Sequence, residues 1–382
     1  MSDIGRRIHL QPAVSQLPVH SYHEQRIFDV EMRSLFAGAN APGYVGHELM
    51  VPNPGDFHTI GWMNNALSLV RNQNGVELIS NVCRHRQAIM LEGRGNRQNI
   101  VCPLHRWTYD LKGELMGAPH FGEKPCLNLH KVPLSRWNGL LFNGQRDIAA
   151  EMASLGVREQ LNFDGYLLDR VEIHECNYNW KTFIEVYLED YHVEPFHPGL
   201  GGFVTCDDLA WEYGERHSVQ TVGVNNALAR PGSDKYRHWH DQVLKYRNGA
   251  PPAHGAIWLT LYPNIMVEWY PHVLVVSHLI PRGPQQTTNV VEFYYPEDIA
   301  LFERDFVEAE QKAYDETAIE DEEICQRMND GRKLLWQEGR DEQGPYQSPM
   351  EDGMVHFHEF LRRELELADG DGNDASASKV SR

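Results

Sequence analysis

Among 382 residues with only six cysteines and twenty histidines, the arrangement of two cysteines with two histidines constrains this chain most. Cys83-Arg-His85 is followed, after sixteen residues (86 to 101), by Cys102-Pro-Leu-His105. Two segments thus each offer one thiolate and one imidazole. If the segments approach one another, one metal can take both sulfurs and a second metal both imidazoles. A single zinc fits less well. Cys₂His₂ zinc sites group a cysteine pair and then a histidine pair, at C-x₂₋₄-C and H-x₃₋₅-H spacings. Here the two types alternate, and the first gap is one residue.

Thiolates on one iron and neutral imidazoles on the other make up Rieske ligation of a [2Fe–2S] cluster. The spacing therefore predicts Cys83, His85, Cys102 and His105 as cluster ligands. The surrounding texture agrees with a small all-β module at 44–145: short runs such as LSLV, VELIS and GLLFN are punctuated by Gly, Pro and Asn.

The remaining chain is too long for an electron carrier alone. Residues 21–37 place Ile27, Val30, Met32 and Leu35 at roughly helical spacing. Helical signals return at 147–160 and 177–194. From Leu209 to Tyr295, runs such as AIWLTLYPNIMVEWY and HVLVVSHLIP predict an antiparallel sheet. Residues 225–255, polar and rich in Gly, Pro and His, read as a surface excursion. An acidic helical pattern runs from about Glu297 to Glu338, and the polar end, 369–382, reads as a disordered tail.

Thirty-five Lys and Arg against 54 Asp and Glu leave a net charge of −19. Nucleic acid or an anionic membrane is a poor partner for such a chain, since both need a positive footprint. No apolar run approaches the ~20 residues of a membrane span. Arg6–Arg7 are followed by His9, Gln11 and Pro12, where a signal peptide would carry its apolar core. The expected compartment is the cytoplasm.

A second constellation lies in NYNWKTFIEVYLEDYHVEPFHPG (177–199). His192 and His197 are five positions apart, a rotation of roughly 140° on an ideal helix, so one unbroken helix cannot aim both at one point. Pro195 and Pro198 should end the helix just after His192 and leave His197 in the exiting loop. Two imidazoles and one carboxylate form the facial triad of non-haem iron(II) oxygenases. The acidic helix offers Asp305, Asp315, Glu316, Glu320, Asp321, Glu322 and Glu323. At ~100° per residue, Asp321 shares a face with Tyr314, Ile324, Cys325 and Met328. Glu320, Glu322, Glu323, Asp315 and Asp305 point away and read as solvated. A pairing of Asp321 with Arg332 competes with the ligand role.

The stretch CRHRQAIMLEGRGNRQNIVCPLHRWTYDLKGEL resembles the cluster-binding segment of Rieske non-haem iron oxygenases. Asn179-Trp-Lys181, the acid-x-x-His-x-x-x-x-His core and Glu-Asp321-x-x-Ile-Cys also match, so the resemblance covers nearly the whole chain. Gln87 and Arg106 depart from it, each standing where the family has glycine. The resemblance implies an α+β chain in which the Rieske domain (44–145) is inserted into a helix-grip catalytic domain (1–43 and 146–368) holding a mononuclear Fe(II). It implies Glu189 as the carboxylate joining His192 to a cluster histidine of a neighbouring subunit in a homotrimer. Glu rather than Asp there is closer to the choline, betaine and carnitine branch than to the naphthalene-type dioxygenases.

The expected activity is that of an oxygenase α subunit. Electrons would come from a separate NAD(P)H-dependent reductase, with or without a ferredoxin, because the chain has no flavin or NAD motif. O₂ would be used for hydroxylation, dihydroxylation or oxidative demethylation of a small organic compound, an aromatic one by first expectation or a quaternary ammonium compound. Trp258, Tyr262, Trp269, Phe293, Phe183 and Tyr187 are the expected substrate walls. A Rieske electron carrier without oxygenase activity and a degenerate binding module are the rivals.

Overall fold

The computed structural model describes residues 16–365. The predicted tail at 369–382 and the Arg6–Arg7 segment lie outside them. The centre is a seven-stranded antiparallel sheet. Its strands run, in spatial order, Tyr166–Cys176, Gln286–Pro296, Val273–Gly283, Ile265–Tyr270, Ala256–Leu261, His217–Val224 and Val204–Tyr213. Four of these strands are nearly continuous in apolar and β-branched residues because both faces of the sheet are covered. On one face Trp258, Tyr270, Val275, Val291 and Phe293 pack under the helices Asp234–Tyr246 and Arg304–Gln337. On the other, Ile257, Leu259, Val267, Leu274 and Val276 meet Tyr44, Trp137, Leu140 and Phe142.

Those last four residues belong to the N-terminal β region, which holds three small sheets. Strands Tyr44–His47, Leu140–Phe142 and Ser135–Trp137 form the one against the large sheet. A five-stranded sheet is built around Leu67–Asn72, and a three-stranded one from Ile100–Val101, Thr108–Tyr109 and Leu115–Gly117. Helix Gln25–Ser34 joins the catalytic half: buried Glu31 accepts from Lys181 Nζ at 2.5 Å and from Trp180 Nε1 at 2.9 Å. A buried charge persists only when paired in this way.

Three expected elements differ. The 147–160 signal yields only a short helix, Ile148–Glu151. The 177–194 helix stops at Tyr187, one turn before His192; the Asp190 N–H leaves the helical ladder and donates to Met350 O at 3.0 Å. Residues 225–255 are not a surface excursion. They contain the helix Asp234–Tyr246, whose Tyr236, Trp239, His240 and Val243 are buried at i, i+3, i+4, i+7 spacing. Interleaved charges and histidines hide that stripe in the sequence.

Candidate active site and metal centres

The two cluster loops are folded on one template. In each, the N–H four residues after the cysteine donates to the cysteine carbonyl at 3.1 Å: Gln87 to Cys83, and Arg106 to Cys102. In each, the cysteine N–H donates to the residue after that, to Ala88 at 2.9 Å and to Trp107 at 2.8 Å. The turn requires a left-handed residue at the fourth position, and Gln87 (φ 56°) and Arg106 (φ 62°) adopt it. The two departures from glycine thus keep the loop shape. Each carries the roughly 1–2 kcal/mol cost of a side chain in that region.

This template sends the cysteines inward and the histidines outward. Cys83 and Cys102 are buried, and Cys83 Sγ is 3.7 Å from the Tyr109 hydroxyl. His85 stacks on Trp107 at 4.9 Å between ring centroids and lies 4.6 Å from His105, which is exposed. Two inner sulfurs and two outer imidazoles from facing loops suit a two-iron group held with its imidazole-bound iron at the surface.

At the second constellation, the helix Trp180–Tyr187 is capped by Asn179, whose Oδ1 accepts from Lys181 N at 3.0 Å. After its end the chain makes two short turns. The His192 N–H donates to Glu189 Oε2 at 3.0 Å, and Glu189 Oε1 lies 2.6 Å from His192 Nδ1, so this carboxylate holds both the backbone and the ring of His192 at the start of the turn Val193–Phe196. Pro195 is tolerated there because a first-turn N–H needs no helical partner, and Pro198 opens the next turn for the same reason. The rings of His192 and His197 meet at 4.9 Å.

Asp321 reaches both from the long helix. Its Oδ1 lies 3.5 Å from His192 Nε2 and 3.0 Å from His197 Nε2. One ligand atom from each of the three residues lies within 4.8 Å of the others, the separation one metal ion requires. Distance alone would make this an ion pair. Yet at that 3.0 Å separation the buried His197 Nε2 and Asp321 Oδ1 make no well-directed hydrogen bond to each other or to another described group. Burial acts to lower the His192 pKa, but Asp321 and Glu189 outweigh it and raise it to about 10. A divalent cation would replace the protons that these carboxylates otherwise attract. The rival pairing does not form, since Arg332 binds Glu185 at 2.6 Å and Thr182 at 2.9 Å.

Glu320 was expected to face solvent. It does not: its Oε2 is 2.7 Å from His197 Nδ1. One position of helical phase sets it at the edge of the Asp321 face, and its longer side chain reaches round. Glu322 and Asp315 likewise line the cavity.

The cavity, of ≈340 Å³, opens onto all three residues. Of the expected walls, Trp258, Phe183 and Tyr187 line it. Trp269 is on the opposite sheet face, because Trp258 pairs across from Glu268, and its neighbour in sequence must point the other way. Tyr262 packs on helix Asp352–Leu365, and Phe293 is core. Unforeseen are Tyr236 and Trp239 and the buried carboxylates Asp190, Glu268 and Glu310.

Residues 42–133 match the Rieske [2Fe-2S] domain family, and residues 153–367, more than half of the chain, match the family of the ring hydroxylating alpha subunit (catalytic domain). The chain belongs to the Rieske non-haem iron oxygenases. This oxygenase is 62% identical to putrescine 2-hydroxylase of Ralstonia nicotianae over 96% of its own length and 100% of that protein. It is 57% identical to putrescine 2-hydroxylase of Bordetella bronchiseptica, covering 95% and 87%. Choline monooxygenase of Spinacia oleracea is 26% identical, covering 91% and 78%. In fold, the oxygenase superposes on a quaternary ammonium Rieske monooxygenase with a TM-score of 0.73 at 19% identity, over 93% and 97% of the two chains. Naphthalene 1,2-dioxygenase of Rhodococcus sp. gives 0.69 at 17%, over 91% and 94%.

The cofactors of the oxygenase are therefore a Rieske [2Fe–2S] cluster and a mononuclear iron. The inward thiols and outward imidazoles fit the first, and the converging unpartnered atoms of His197 and Asp321 fit the second. Among the described residues no helix is long and apolar enough to cross a membrane.

Proposed function

We propose that this chain is the terminal oxygenase that hydroxylates putrescine, or a similarly short aliphatic diamine, at a methylene carbon. The observation that carries the reading is the cavity wall. It contains eight carboxylate side chains, among them Asp190, Glu268 and Glu310, and no lysine or arginine. Burial raises the pKa of Glu268 to about 7 and of Glu310 to about 8; beside a neutral arene they would hold protons, whereas a dication would pair with their ionised forms. Tyr187, Trp258, Tyr270 and Tyr314 add aromatic faces that suit an ammonium. The two relatives at 62% and 57% identity carry the name putrescine 2-hydroxylase, which favours a diamine over a quaternary ammonium.

In this reading residues 44–145 form the cluster module, with Cys83, His85, Cys102 and His105 as ligands. Residues 146–368 with the N-terminal segment form the catalytic domain. His192, His197 and Asp321 hold the mononuclear iron, which supplies oxygen activation when electrons arrive singly from the cluster. A separate NAD(P)H-dependent reductase feeds the cluster. The chain works as a head-to-tail homotrimer in which Glu189 meets a neighbour's cluster histidine. Exposed apolar side chains at both ends of that contact support it: Leu104 (55% exposed) beside His105, and Tyr191 (60% exposed) beside Glu189.

The test is O₂ uptake and product analysis with a surrogate reductase, comparing putrescine, choline and naphthalene. Hydroxyputrescine formed with one O₂ per turnover is the expected result. Turnover of choline or naphthalene with putrescine inert would refute the proposal.

A further inference from the structure

Glu268 sits at the middle of the central strand of the large sheet, 3% exposed, with its carboxylate on the cavity wall. A charged residue there is costly unless something holds it. Three hydroxyls do. Tyr270 donates to Oε2 at 2.9 Å, Tyr314 to Oε1 at 3.2 Å, and Ser277 to Oε1 at 3.4 Å. The Trp258 indole N–H in turn donates to the Tyr270 hydroxyl at 3.0 Å, locking its direction. This shell orients the carboxylate but brings no positive charge to it.

The other buried acids are differently placed. Glu310 accepts from Tyr295 and feels the Arg170 guanidinium. Asp190 is two residues from His192, in the ligand-bearing turns. Burial acts most on Glu268 and raises its pKa to about 7, and among its charged neighbours Asp321 pushes the same way. It is thus a carboxyl group fixed by three hydroxyls, with no ion pair among the described residues, facing the same space as the iron-site triad. Three donors occupy three of about four acceptor sites on a carboxylate, which leaves room for one more N–H.

The wall carries a second, independent sign of an N–H-bearing ligand. Gln220 is 2% exposed and donates through Nε2 to Tyr187 O at 2.8 Å, yet its Oε1 has no partner. A buried acceptor without a donor is rare unless something absent supplies one. Both features request a donor, and the cavity wall carries no lysine or arginine to answer.

We infer that Glu268 is the specificity-determining residue of this site: it receives one ammonium group of the substrate and makes the enzyme prefer an amine terminus to a hydroxyl of the same size. This rests on the diamine reading above. The preorganised shell is what makes the selection strong, because Tyr270, Tyr314 and Ser277 hold the acceptor in place before the ligand arrives. A carboxylate left buried without its cation penalises a neutral analogue far more than a lost methylene would.

The experiment compares equilibrium binding of putrescine and 4-aminobutan-1-ol to iron-loaded, anaerobic holoenzyme by calorimetry, in the parent and in Glu268→Gln. The parent should bind putrescine at least 50-fold more tightly than the amino alcohol. Glu268→Gln should weaken putrescine at least 50-fold but the amino alcohol less than 5-fold, with cluster absorbance and iron content unchanged. Should Glu268→Gln lose iron or fold, Tyr314→Phe and Ser277→Ala keep the charge and loosen it, and each should weaken putrescine several-fold without altering the amino alcohol. Putrescine bound by Glu268→Gln within 3-fold of the parent, or by both hydroxyl variants unchanged, overturns the assignment while leaving the diamine reading intact. A parent enzyme that binds neither amine defeats both.

Discussion

Removing Glu320 should loosen the mononuclear iron without removing it. Its carboxylate is 2.7 Å from His197 Nδ1, on the far side of the ring from Asp321. A carboxylate there fixes which nitrogen carries the proton, turns Nε2 into the ligand and raises its basicity. Losing such a partner costs ~10–100-fold in metal affinity, about 1.4–2.7 kcal/mol. Where in that range depends on what can replace it. Glu320 is 26% exposed while the His197 side chain is 1% exposed, so water can reach the vacated position and take the N–H, but the ring cannot turn towards bulk solvent. The expected loss for Glu320→Ala is therefore at the low end, about tenfold. Glu320→Gln keeps an acceptor and loses only charge, so its effect should be a few-fold. The assay is Fe(II) affinity by chelator competition under anaerobic conditions, with cluster absorbance and thermal melting as controls. Glu323→Ala is the reference, since Glu323 is exposed and paired with Arg327 at 2.5 Å on the outer face. Parental affinity in Glu320→Ala, or an equal loss in Glu323→Ala, would refute the reasoning. Complete iron loss in Glu320→Ala with iron retained in Asp321→Ala would make Glu320 the ligand.

Asp321→Ala itself should lose one iron per chain and all turnover while the cluster's EPR signal survives; retention of three irons per chain would exclude Asp321 as a ligand. Arg106→Gly relieves about 1–2 kcal/mol of left-handed strain against ~0.5–1 kcal/mol of glycine entropy. It should therefore raise the unfolding midpoint slightly, whereas Arg106→Ala, which keeps the Cβ, should not; equal effects would show the turn to be unstrained. His278, buried against Tyr44, has its pKa lowered to about 3 by burial and Arg282. Its unfolded form takes up a proton below about pH 6.5, so its contribution to stability is complete above that pH and falls as pH drops, by about 2 kcal/mol at pH 5. The destabilisation caused by His278→Gln should accordingly shrink by that amount between pH 7 and pH 5, and a pH-independent difference would contradict the assignment. Glu189→Ala should retain both metal centres yet slow cluster-to-iron electron transfer by orders of magnitude in single-turnover kinetics. Mixing Cys102→Ala with His197→Ala subunits should restore part of the activity, and no rescue despite proven exchange would exclude transfer between subunits.

The candidate metal ligands were legible in the sequence because ligand chemistry is written in spacing. Cys83-x-His85 with Cys102-x-x-His105, and two histidines flanked by prolines, needed no tertiary information to be singled out. Helical phase separated Asp321 from its acidic neighbours by the same kind of local rule, and the sheet announced itself in its β-branched runs. What local rules could not supply is what lies across a gap. Glu320 and Asp321 are adjacent, and only the position of the His197 ring gives one the imidazole Nε2 and the other Nδ1. Glu268 interrupts the apolar run IMVEWY as an outward-facing residue would. It becomes part of the site because its register opposite Trp258 turns it to the face that the helices Asp234–Tyr246 and Arg304–Gln337 close over. The first of those helices was unreadable, its stripe of Tyr236, Trp239 and Val243 diluted by charge. Composition and spacing thus decided that the chain carries two iron sites; the pairing of strands and the closing of two helices over them decided that the enclosed cavity is acidic.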